Sequence, residues 1–83
     1  MGRKELAAEI ADFCYKYQVF NIDIKTKLSP SRIEQQLENS SFVEGLIHVL
    51  ITETKYKENV DFEELKKLLL ELEKIRLDLE YDE

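Results

Sequence analysis

Three kinds of side chain in this sequence can do chemistry: one imidazole, one thiol and a large set of carboxylates. His48 is the sole histidine and Cys14 the sole cysteine. A nucleophilic thiol needs a base beside it. His48 is the one candidate, and no spacing links it to Cys14. Cys14 therefore reads as a small buried hydrophobe, the usual state of a free cysteine. Glu44 and His48 stand four residues apart, which on a helix places both on one face, where they could hold one edge of a metal ion. Two ligands are too few, because a metal site takes at least one more protein group. His48 reads as a solvated surface residue. No HExxH, CxxC, glycine-rich phosphate loop or GxSxG turn occurs.

The carboxylates follow a different logic. Glu63, Glu64, Glu71 and Glu73 alternate with Lys66, Lys67, Lys74 and Arg76 at spacings of three and four. Such pairs support a helix by about 0.2–0.5 kcal/mol each and belong on a solvated face. General acid–base work would instead need a carboxyl in an apolar cleft. No catalytic residue, metal ligand or cofactor is assigned, and the chain reads as a non-enzyme.

The elements that position these residues read as helices. The chain has 83 residues, two glycines and one proline, so a single domain (residues 1–83) of helices with short connections is expected. Helix one spans Arg3 to Tyr17 or Val19, with Leu6, Ile10, Phe13 and Tyr17 on one face, Ala7 and Cys14 widening it, and Tyr15 opposite. Tyr15 and Val19 are candidate exposed apolar residues. The stretch 19–25 reads as an extended connection whose apolar residues enter the core, since an isolated strand has no partner to pair with.

Helix two begins with Ser29 as N-cap, Pro30 in the first turn and a staple of Leu28 on Ile33, and ends near Asn39. Helix three starts at Ser40 or Ser41, with Ser41 and Glu44 matching a capping box. Its apolar set, Phe42, Val43, Leu46, Ile47, Leu50 and Ile51, is wide enough to imply a central helix. Gly45 within it implies close approach by a neighbour, because glycine there costs about 1 kcal/mol against alanine. Helix four runs from the Asp61 cap, with a staple of Val60 on Leu65, to about Glu80. Leu65, Leu68, Leu72, Ile75 and Leu79 form its core stripe, widened by Leu69. Acidic residues at its end oppose the helix dipole, so residues 79–83 are expected to fray.

The fold expected is all-α: a small bundle of four helices, the second short and the last long. At about 100° per residue, Leu70, Leu77 and Tyr81 fall opposite the core stripe of helix four. Either other helices wrap that side or it is an interface, since exposed apolar patches mark contact sites. Leu70, Leu77 and Tyr81 are thus the candidate interaction residues.

Charge narrows the choice of partners. The net charge is −6. Residues 1–60 carry nine acids and eight bases, whereas residues 61–83 carry nine acids and four bases. An acidic chain is poorly suited to phosphate backbones, so direct nucleic-acid binding is not expected. With one thiol, no signal-like apolar segment, no myristoylation pattern after Gly2 and no membrane-length apolar run, a cytoplasmic protein is expected.

The stretch Ile10-Ala11-Asp12-Phe13-Cys14-Tyr15-Lys16-Tyr17, leading into Phe20 and Ile22, resembles helical segments in small uncharacterised proteins of Gram-positive conjugative elements. That resemblance implies an accessory protein and carries over no functional residue. The residues themselves point to a small acidic protein–protein interaction or accessory protein that self-associates, as a homodimer, through helix four. The alternative is an inhibitor or antitoxin-like regulator whose acidic helix docks on a basic protein target.

Overall fold

The computed structural model describes residues 2–19 and 29–81. They form four helices: α1 (Arg3–Tyr17), α2 (Pro30–Gln36), α3 (Ser40–Thr54) and α4 (Phe62–Tyr81). No strand occurs among the described residues. The all-α architecture, the short second helix and the long C-terminal helix are as the hydrophobic spacing predicts. The Cα radius of gyration is 12.1 Å, against about 12 Å for a packed chain of this length.

Each helix end has a local cause. α1 closes in a Schellman motif. Gln18 takes the left-handed conformation at φ 55°. The Val19 N–H then returns to the Cys14 carbonyl at 2.9 Å and the Gln18 N–H to Tyr15 at 3.4 Å. The reversal drives Val19 into the core, where it is fully buried. Val19 thus enters the core, as expected of the first residue of the 19–25 connection, and is not the exposed companion of Tyr15 that its place at the end of helix one also suggested. The rest of the expected extended connection, and the Leu28 half of the Ser29 staple, lie outside the described residues.

Ser29 caps α2 as expected, its Oγ accepting the Arg32 N–H at 3.4 Å. The helix stops at Gln36, short of Asn39. Asn39 is committed elsewhere: its Oδ1 accepts from the N–H groups of Ser41 at 3.0 Å and Phe42 at 3.3 Å. Asn39, not Ser41, is the N-cap of α3, so the expected Ser41–Glu44 capping box does not form. One asparagine beside two serines offers three capping choices, and the path of the α2–α3 turn selects among them. Asp61 caps α4, with Oδ1 accepting from Glu63 at 3.1 Å and Glu64 at 3.3 Å. Val60 and Leu65 are both buried next to that cap.

The core draws on all four helices. α1 supplies Leu6, Ala7, Ile10, Phe13 and Cys14, α2 supplies Ile33, α3 supplies Val43, Leu46 and Leu50, and α4 supplies Leu65, Leu68, Leu72 and Ile75. Leu37 and Val60 close it from the connections. α1 packs chiefly on α2 and also on α4, and α4 packs on α3. The expectation of a central α3 is thereby corrected. Its main neighbour is α4, and Ile51, placed inward by spacing, is 49% exposed. Gly45 is corrected for the same reason. A Cβ built on it meets nothing within 4 Å, so no close approach requires the glycine.

Thr54 is the one buried polar residue described, and its hydroxyl donates to the Leu50 carbonyl. No described buried side-chain polar atom lacks a partner, which removes one common signature of a hidden polar site.

Candidate interaction surface on the C-terminal helix

α4 is fixed at its N-terminus and along one side. At its N-terminus the Asp61 N–H donates to the Tyr17 hydroxyl at 3.0 Å, tying it to the end of α1. The Tyr17 ring stacks at a tilt on Phe13, with centroids 4.7 Å apart. Spacing identified Tyr17 only as part of an apolar stripe, because a contact spanning forty-four residues has no local signature. Along its length Lys67 reaches Glu9 on α1 at 3.3 Å. The stripe Leu65, Leu68, Leu72 and Ile75 is buried, with Leu69 and Leu79 packed half-buried at its edges.

The opposite face is open. Leu70 is 57%, Leu77 41% and Tyr81 76% exposed. The structure brings these three predicted residues onto one line, and no described helix is wrapped over them. Tyr15 is exposed on α1 as expected. Tyr56 and Phe62 are also exposed, and sequence reasoning did not single them out. Phe62 falls on the line of Leu69, seven residues away, and not on that of Leu70.

The charges beside this face are held in a partial network. Arg76 pairs with Glu73 one turn before it and with Glu80 one turn after, the latter at 2.9 Å. The Arg76 guanidinium lowers the proton affinity of Glu73, and the two carboxylates raise that of Arg76. Lys74 pairs with Glu71 at 3.2 Å. Glu44 on α3 faces Glu80, and sharing a proton with that carboxyl raises the Glu44 pKa above its ordinary 4.5. α4 is described as helix through Tyr81; Asp82 and Glu83, the end of the expected acidic tail, lie outside the described residues.

The other candidate chemistry is not assembled. Cys14 is fully buried, and burial, with a smaller contribution from Glu53, pushes its thiol up to about 12. It is a protonated, inaccessible sulfur and a poor nucleophile. His48 and Glu44 are exposed on α3. No group of three or more His, Cys, Asp or Glu side chains among the described residues could hold a metal ion. No helix among them is long and apolar enough to cross a membrane.

The chain is thus a small all-α protein whose described residues form four helices and whose most pronounced surface feature is an apolar line on the outside of α4. Comparison with known proteins finds no matching family, curated protein or solved structure.

Proposed function

We propose that this chain is a protein–protein interaction or accessory protein that self-associates through α4. The observation that supports this reading is the exposure of Leu70, Leu77 and Tyr81 together on the face opposite the core stripe. Single exposed leucines are ordinary. Here two leucines seven residues apart and a tyrosine one turn beyond the second share one face, with Glu73 and Lys74 on the turn between the leucines. Covering a leucine fully is worth about 1.5–3 kcal/mol, so half-exposed Leu70 and Leu77 each retain a substantial part of that in reserve. The strip lies outside the core, which closes on the other side of the same helix.

The alternative, an acidic helix docking on a basic target, has weaker support. Glu73 and Glu80 are already engaged by Arg76, and Glu71 by Lys74.

Sedimentation equilibrium or light scattering across a wide concentration range tests the proposal. The expected result is a reversible rise in mass that a Leu70→Glu, Leu77→Glu double variant abolishes while its helical content stays the same. A monomer at the highest concentrations refutes self-association. An oligomer that the double variant leaves intact refutes the assignment to Leu70 and Leu77.

A further inference from the structure

We draw no further inference here: the strongest candidate, the exposed apolar face of α4 that carries Leu70, Leu77 and Tyr81, belongs to the surface already described, and with acids and bases mixed along it nothing in the structure shows what covers it.

Discussion

Gly45→Ala is expected to stabilise this protein. Gly45 sits in the second turn of α3, five residues past its start, and its backbone is helical, with no positive φ at either glycine. The added Cβ would meet nothing within 4 Å, so no steric penalty offsets the gain in helix propensity. Glycine is about 0.8–1.0 kcal/mol worse than alanine inside a helix, chiefly because the unfolded chain loses more freedom on folding. The full difference should therefore appear. For 83 residues, at about 2.1 cal/mol/K per residue, the unfolding entropy at the midpoint is about 0.17 kcal/mol/K. A gain of about 0.9 kcal/mol raises Tm by about 5 °C. Circular dichroism melts of the two proteins measure this, at matched and low concentration because self-association also raises Tm. A midpoint unchanged or lowered refutes the argument: it would mean that something packs against Gly45, as the sequence alone implied, or that α3 is not helical there.

Two further predictions test the electrostatics and the caps. Asn39→Ala should lower stability by about 1 kcal/mol, since it removes the cap of α3, whereas Ser41→Ala should change it by only a few tenths. Urea denaturation of both variants checks this, and the reverse order would restore the Ser41 capping box. Glu44→Gln should stabilise the chain at neutral pH by removing a carboxylate that faces Glu80. The sign follows from the raised pKa of Glu44. The folded state holds that proton more tightly than the unfolded state, so the repulsion is fully felt above the folded pKa. It is relieved as pH falls through that value toward 4.5. The advantage of Glu44→Gln over the natural chain should accordingly shrink as pH is lowered into that window, and a constant advantage would show that Glu44 does not titrate against Glu80.

What these residues determine by themselves is local. A leucine stripe at spacings of three and four commits α4 to burying one face, and no partner is needed to establish that Leu70, Leu77 and Tyr81 lie on the other. Ser29–Pro30 and Asp61 fix the starts of two helices because a cap and the N–H groups it satisfies lie within three residues.

Tertiary structure decided which faces meet. α3 carries seven large apolar residues that spacing could not rank, and only its docking on α4 left Ile51 exposed and Gly45 in open space. The choice of Asn39 over Ser41 depended on the direction of the turn from α2, since several side chains within one turn have the chemistry to cap. Val19 entered the core because Gln18 adopts a left-handed backbone, a conformation nothing in its side chain announces. The Tyr17–Asp61 hydrogen bond joins residues far apart in the chain. Most of all, an apolar line opposite a core stripe has two possible fates, burial under another helix or exposure, and periodicity is identical in both. Packing α1 and α3 on the inner side of α4 left Leu70, Leu77 and Tyr81 exposed, because burial depends on where the other helices lie and not on the spacing within one.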